Sequence, residues 1–405
     1  MHGAAFPFVS VMSRIPSLLI VRRSLFVLSH HRPSSRMARI SISLFLYFPL
    51  VFATNYNLIR DYSGSTFFNG WRFTGDADRT TNGDAFFVTE EVGLQQHLAY
   101  VDPNTNRAII KVDNVSVVAD QQKRNTVKIT TQDLYPVGSV WITDLHHVPF
   151  GCSVWPAWWS QAPGWPMGGE IDTFEGVNLF TQNQMSLHTL PGCKQVNPVQ
   201  TSTLIPNADC SNTTNNNQGC IVKDPNTNSY GQPFADAGGG VFVTEMATSG
   251  ISIWFFTRSA VPSSITSNSS TIDTSTLGKP VANYPATGCP MDTFFGPQAL
   301  IFDITLCGDF ARPLYEQPDS GCPGSCYKNA VLGPPSGYDN AYFDIAYLRV
   351  YSSNPSQGGG ASGNGGNTNS TTGDQGGKND AQVLHRATLT SAFASVIFLW
   401  GIALI

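Results

Sequence analysis

Ile251-Ser252-Ile253-Trp254-Phe255-Phe256 opens with side chains that alternate large apolar with small polar, the period-2 texture of a strand with one buried face. Similar short β-branched and aromatic runs recur at Phe86–Thr89, Ala108–Val112, Thr126–Thr130, Val140–Thr143, Gly240–Thr244 and Leu300–Ile304. The run Tyr342-Phe343-Asp344-Ile345-Ala346-Tyr347-Leu348-Arg349-Val350-Tyr351 reads as a last long strand closing a sheet. Clusters of Gly, Pro, Asn, Ser and Thr separate these runs, and helical periodicity is scarce. From Asn57 to Tyr351 neither linker nor repeat interrupts the pattern. An all-β sandwich of about 300 residues therefore fits as one domain, spanning 54–353.

Composition agrees. Of 405 residues only 13% are charged, against about 25% in average soluble proteins, while Gly (37) and Pro (26) are plentiful. That excludes a long-helix or coiled-coil protein. The formal charge of −5 includes six Arg and no acid in 1–53, and one net positive charge in 378–405, so the stretch 54–377 carries −12. Such an acidic body repels nucleic acid.

Both ends read as processing signals. Residues 1–36 form an upstream extension with no structural pattern. Met37-Ala38-Arg39 then precedes the apolar run Ile40 to Ala53, with Val51 and Ala53 at −3 and −1 of a cleavage before Thr54, the pattern of a secretory signal peptide over 37–53. The run is short for a membrane-spanning helix, which needs about 20 residues. After the domain, 354–377 is a Gly/Ser/Asn-rich stalk, and 378–405 carries small residues, a spacer and the apolar tail Ala387 to Ile405. An apolar tail with no basic flank after it points to glycosylphosphatidylinositol (GPI) attachment at Gly377 or Asn379. The expectation is a secreted monomer held at the cell surface, touching the membrane only through that anchor.

Eight Cys fall between Cys152 and Cys326. An even count in an exported chain points to disulfides, and the 105 possible pairings stay open. Cys322-Pro-Gly-Ser-Cys326 has one residue too many for a CxxC zinc pair and no His beside it, so no metal is expected. Sequons at Asn114, Asn212, Asn268 and Asn369 suit a glycosylated exterior.

Chemistry concentrates in 152–188. Glu170-Ile171-Asp172-Thr173-Phe174-Glu175 places three carboxylates within six residues of a charge-poor chain. On a regular strand Glu170, Asp172 and Phe174 share one face and Glu175 takes the other. A β-bulge between Asp172 and Glu175 would return Glu175 to the face of Glu170, so that all three acids line one cleft. Two carboxyls about 5 Å apart are the arrangement of retaining glycosidases, and a third between them can keep one partner protonated. The alternatives are a solvated acidic strand and a calcium loop. Calcium loops favour Asp, Asn and Gly along turns, whereas Ile171, Thr173 and Phe174 are strand formers. Four Trp (Trp155, Trp158, Trp159 and Trp165) immediately precede the acids, more than one core strand needs, and flat aromatic faces suit sugar rings.

These residues carry a resemblance. Glu170-Ile-Asp-x-x-Glu-Gly-Val-Asn178, preceded by Trp155-Pro-Ala-x-Trp159 and Trp165-Pro-x-x-Gly169, resembles glycoside hydrolase family 16, the fungal laminarinase-like endo-1,3(4)-β-glucanases. Asp144-Leu-His-His-Val-Pro-x-Gly-Cys152, Ser186-Leu-His188, Ile253-Trp-Phe-Phe256 and Cys307-Gly-Asp309 extend it from about Tyr56 to Tyr351. The resemblance implies a β-jelly roll with an open cleft on its concave sheet, no cofactor, and β-glucan as substrate. It implies Glu170 as nucleophile, Asp172 as assisting acid and Glu175 as acid/base. Trp158 and Trp165 would line the glycone subsites, and His188 would stand beside the acid/base on the leaving-group side. Lys128 replaces an Arg of relatives and would reach sugar oxygens as a point charge without the planar fork. Phe310 replaces a Trp, and Glu245-Met246 a Glu-Trp, which would weaken contacts at outer subsites. Three readings follow: a hydrolase cutting internal β-1,3 or mixed β-1,3/1,4 bonds, a transglycosylase using the same glycosyl-enzyme, and a non-catalytic glucan-binding wall protein.

Overall fold

A computed structural model describes residues 55–205, 207–265 and 269–354. The expected signal peptide, the stalk beyond Asn354, the anchor signal and the sequons Asn268 and Asn369 lie outside these residues. No helix among the described residues is long and apolar enough to cross a membrane.

Two large antiparallel sheets stack face to face, the sandwich that the strand texture predicts. The eight-stranded sheet runs Thr203–Leu204, Val222–Lys223, Gln184–His188, Glu170–Glu175, Val154–Gln161, Ala299–Leu306, Lys128–Thr131, Trp71–Phe73. The nine-stranded sheet is built around Tyr342–Ser352, which pairs with Ser139–His147 on one side and, on the other, with Ala108–Lys111 along its first half and Asn55–Ser63 along its second. Neither sheet closes on itself. A small third sheet joins Asp76–Ala77, Ala85–Phe87 and Arg124–Thr126.

Aromatic side chains fill the space between the sheets. Phe174 lies 5.2 Å from Tyr230 and 5.6 Å from Phe242, and Phe302 lies 5.2 Å from Phe343. The run Thr126–Thr130 does not form one strand. It breaks at Val127, which is fully buried, so that Arg124–Thr126 joins the small sheet and Lys128–Thr131 the site-bearing one. Ile251–Phe256 also departs from the expected half-buried strand. Ile251, Ile253 and Phe255 enter the inter-sheet core, while Trp254 packs with Tyr56, Val243 and Leu277 on the sheet's other face. Burial on both faces is what the aromatic ending of that run records.

Four disulfides tie the loops: Cys152–Cys322, Cys193–Cys289, Cys210–Cys220 and Cys307–Cys326. All eight cysteines are used.

Candidate active site

The Glu170–Glu175 strand lies near the middle of the eight-stranded sheet, between Val154–Gln161 and Gln184–His188. Its register with Gln184–His188 is Glu170 opposite His188 and Asp172 opposite Ser186, then a shift, then Glu175 opposite Gln184. The extra residue lies at Thr173–Phe174, and both of these side chains point into the core. Thr173 Oγ1 shares a 2.6 Å hydrogen bond with Thr244 Oγ1 of the facing sheet, and Phe174 is fully buried against Tyr230 and Phe242. Two consecutive inward residues are the mark of a bulge, and they turn Glu175 back to the face that carries Glu170 and Asp172.

Each carboxyl has defined company. Glu175 Oε1 accepts from Trp155 Nε1 at 2.9 Å and Oε2 from Gln184 Nε2 at 3.0 Å. Asp172 Oδ2 accepts from Ser186 Oγ at 2.5 Å and lies 3.3 Å from His188 Nε2. His188 Nδ1 meets Asn217 Oδ1 at 3.1 Å, and Gly219 packs so tightly on the imidazole that a Cβ there would lie 2.9 Å from Nε2. Asn217 and Gly219 belong to the short loop closed by Cys210–Cys220.

Burial, and then the charge of Asp172, push Glu170 up to about 8 and Glu175 up to about 7. Burial alone would lower His188; the Glu170 carboxylate and the hydrogen bond to Asp172 outweigh it and lift the imidazole to about 10. At neutral pH the Glu170/Glu175 pair therefore retains a proton, and a positive imidazolium faces Glu170 and Asp172. Glu170, Asp172 and His188 present ligand-capable atoms within 4.8 Å of one another, and those of Asp172 and His188 already engage each other, Ser186 and Asn217.

Two residues lie elsewhere than the resemblance implies. Trp158 is not on the open face. It is 1% exposed and stacks on Phe302 at 4.2 Å, because Trp155, Ala157, Trp159 and Gln161 occupy the outward positions of an alternating strand and leave Trp158 to the core. His188 stands beside Glu170 and Asp172, not beside Glu175. The pairing is antiparallel, so the start of one strand meets the end of the other and Gln184 faces Glu175.

The open face of the same sheet carries more than the sequence reading named. Trp155 packs edge-to-face on Phe310 at 5.5 Å. Trp159 donates from Nε1 to Asp303 Oδ1 at 2.7 Å, and Lys128 Nζ sits 4.9 Å above its ring. Period-2 alternation from Trp155 would have found Trp159 and excluded Trp158. Trp165 lies in the loop before Glu170, is 39% exposed, and its indole works against the upward push on the Glu170 carboxyl. Glu245 and Met246 belong to the other sheet. Glu245 accepts from Tyr56 and Thr274, and Met246 is core, so neither forms an outer subsite.

A family description, the XgeA-like catalytic GH16 domain, matches residues 71–351. The chain belongs to glycoside hydrolase family 16. Among family relatives, a probable glycosidase of Schizosaccharomyces pombe is 37% identical over 303 residues, covering 74% of this chain and 70% of that protein. An endo-1,3(4)-β-glucanase of Arthroderma benhamiae is 34% identical over 312 residues, covering 74% of this chain and 65% of its own length. Laminarinase 16A of Phanerochaete chrysosporium, solved with β-glucans in its donor and acceptor sites, is 36% identical with a TM-score of 0.69, covering 73% of this chain and 99% of that one. An elongating family 16 β-1,3-glucosyltransferase is 35% identical with a TM-score of 0.67, covering 73% and 100%. This family 16 domain thus shares its sheet architecture with two solved chains that it spans almost completely, while it spans about two thirds of the length of the two curated relatives.

Proposed function

We propose that this family 16 domain is a retaining endo-β-glucanase acting on β-1,3 or mixed β-1,3/1,4 glucan. The observation that carries the reading is the bulge, which presents Glu170 and Glu175 on one face with Asp172 between them. Glu170 attacks the anomeric carbon while the bond to the leaving oxygen breaks and Glu175 gives that oxygen its proton. Water then attacks the same carbon, its proton passes to Glu175, and Glu170 departs as a carboxylate. In the free site the two raised carboxyls retain a proton at neutral pH. A bound sugar draws it to Glu175, because the positive charge developing at the anomeric carbon favours an ionised Glu170. His188, charged and opposite Glu170, supports that ionised state. Trp155 and Trp159 offer flat aromatic surface along the groove, Trp165 covers the Glu170 side, and Lys128 steadies the Trp159 ring.

The likeness to an elongating β-1,3-glucosyltransferase supports a second reading, in which a sugar hydroxyl replaces water in the second step. Laminarin digestion with and without an added laminari-oligosaccharide acceptor tests both. Shorter products alone indicate hydrolysis, products longer than the acceptor indicate transfer, and unchanged laminarin refutes both. NMR of the first product should show the β-anomer; the α-anomer would refute retention.

We further propose export and GPI anchoring at the cell surface. The signal pattern of 37–53, the tail of 378–405 and four disulfides support this reading, since disulfides persist in oxidising compartments. Release of activity from membranes by phosphatidylinositol-specific phospholipase C is the expected result. Activity that stays membrane-bound after the lipase would refute the anchor.

A further inference from the structure

A bulge has a cost at the backbone. Where two residues oppose one, the ladder loses partners, and an N–H or C=O left unpaired inside the sheet is destabilising because it has given up its water without a replacement. At Thr173–Glu175 the strand register with Gln184–His188 skips, and the groups that would lose partners belong to the residues flanking Phe174. The fully buried side chain of Asn183 supplies both: Glu175 N–H donates to Asn183 Oδ1 at 2.9 Å, and Asn183 Nδ2 donates to the Thr173 carbonyl at 2.9 Å. One side-chain amide thus stands in for the missing rung. Its orientation is dictated, because an amide N–H can only donate and a carbonyl can only accept.

The amide is itself held. Asn183 N–H donates to Ser229 Oγ at 2.9 Å, and its carbonyl accepts the Asp224 N–H at 2.9 Å. All four polar groups of the residue are engaged. The packing beneath the bulge orders Phe174, and the Tyr230 ring lies so close to Gly176 that a Cβ there would come within 2.5 Å. Packing alone, however, leaves the direction of the Glu175 peptide undefined; Asn183 defines it. The next residue, Gln184, grips the Glu175 carboxyl, so two consecutive side chains control the backbone and the head group of one acid.

We infer that Asn183 is the positioning residue for Glu175, a role that rests on the reading of Glu175 as acid/base. Removing the amide should let the carboxyl drift from the leaving oxygen while the groove still binds glucan. Displacements of about 1 Å cost on the order of 10²-fold in rate.

The test compares two leaving groups in the full chain. Cleavage of laminaritetraose breaks a glycosidic C–O bond and expels a sugar oxygen that needs a proton, whereas cleavage of 2,4-dinitrophenyl β-laminaribioside expels 2,4-dinitrophenolate, which needs none. Azide included with the aryl substrate attacks the glycosyl-enzyme without a base. Asn183→Ala should lower kcat on laminaritetraose by about 10²-fold at nearly unchanged KM, and lower aryl-substrate turnover with azide by less than about 3-fold. Asn183→Asp, which retains the acceptor for Glu175 N–H, should fall between Asn183→Ala and the parent, and decides the matter if the Ala variant does not fold. Thr126→Val, which removes a buried hydrogen bond to Ile304 remote from the acids, controls for destabilisation. Equal losses on both substrates, or the same selectivity in Thr126→Val, would overturn the positioning role. Glu175→Gln run alongside separates the two ideas: if it lacks the leaving-group selectivity, the acid/base reading fails, whereas selectivity in Glu175→Gln but not in the Asn183 variants refutes the Asn183 role alone.

Discussion

Asp172→Asn removes the charge nearest the two proposed working carboxyls while preserving shape. Ligand-capable atoms of Glu170 and Asp172 lie within 4.8 Å. At that separation two unit charges repel by about 3.5 kcal/mol at an effective dielectric of 20 and by about 0.9 kcal/mol in bulk water. These limits correspond to about 2.5 and about 0.6 pH units at 1.36 kcal/mol each. Glu170 and Glu175 are half-buried while Asp172 itself is buried, so the expected effect lies between these limits, about 1 unit. The sign follows from the site: Asp172 raises both Glu170 and Glu175, and without it the pair releases its retained proton at lower pH. The parent should lose activity as pH rises through about 7–8, where the last proton leaves the pair. In Asp172→Asn this basic limb of kcat on laminarin should move down by about 1 unit and not vanish, because burial, the larger cause, remains. A basic limb that stays in place while kcat falls would show that Asp172 acts by holding Ser186 and His188 and not by charge.

Glu170→Gln and Glu175→Gln should each remove nearly all hydrolysis of laminarin with the circular-dichroism spectrum unchanged; a Glu170→Gln enzyme with substantial turnover would end the assignment. The two neighbouring tryptophans should part company: Trp158→Ala should cost about 3–5 kcal/mol in denaturant unfolding, as for a buried aromatic, whereas Trp159→Ala should leave unfolding nearly unchanged and raise KM. Glu175 is raised from 4.5 to about 7 in the folded chain, so the folded state binds more protons than the unfolded one across that window and this group's contribution to stability falls as pH rises through it. The Tm difference between Glu175→Gln and parent should therefore grow in the variant's favour from pH 4.5 to pH 7; a difference independent of pH would contradict the raised carboxyl.

Much of the candidate site was legible in Glu170–Glu175 because a strand has a period of two and an acid pair needs one face. The even spacing of Glu170 and Asp172, the odd spacing of Glu175 and the local wealth of strand formers together call for a bulge, and the register skip lies there. Trp158 was misplaced for a related reason. A run of aromatic residues names its strand but not its phase, and phase is set by which side chains turn toward the facing sheet, here Trp158 with its strand neighbour Phe302, which meets Phe343 across the core. His188 was read from its motif and not from its pairing, and an antiparallel ladder puts it opposite Glu170. Local sequence thus determined the β-class, the carboxylate triplet and the need for a bulge, since backbone periodicity and residue type act within a few residues. Only the tertiary structure decided the four disulfide pairings, the inward turn of Trp158, and the amide of Asn183 beneath Glu175. These depend on groups far apart in the chain, or across a sheet, whose distances no local pattern encodes.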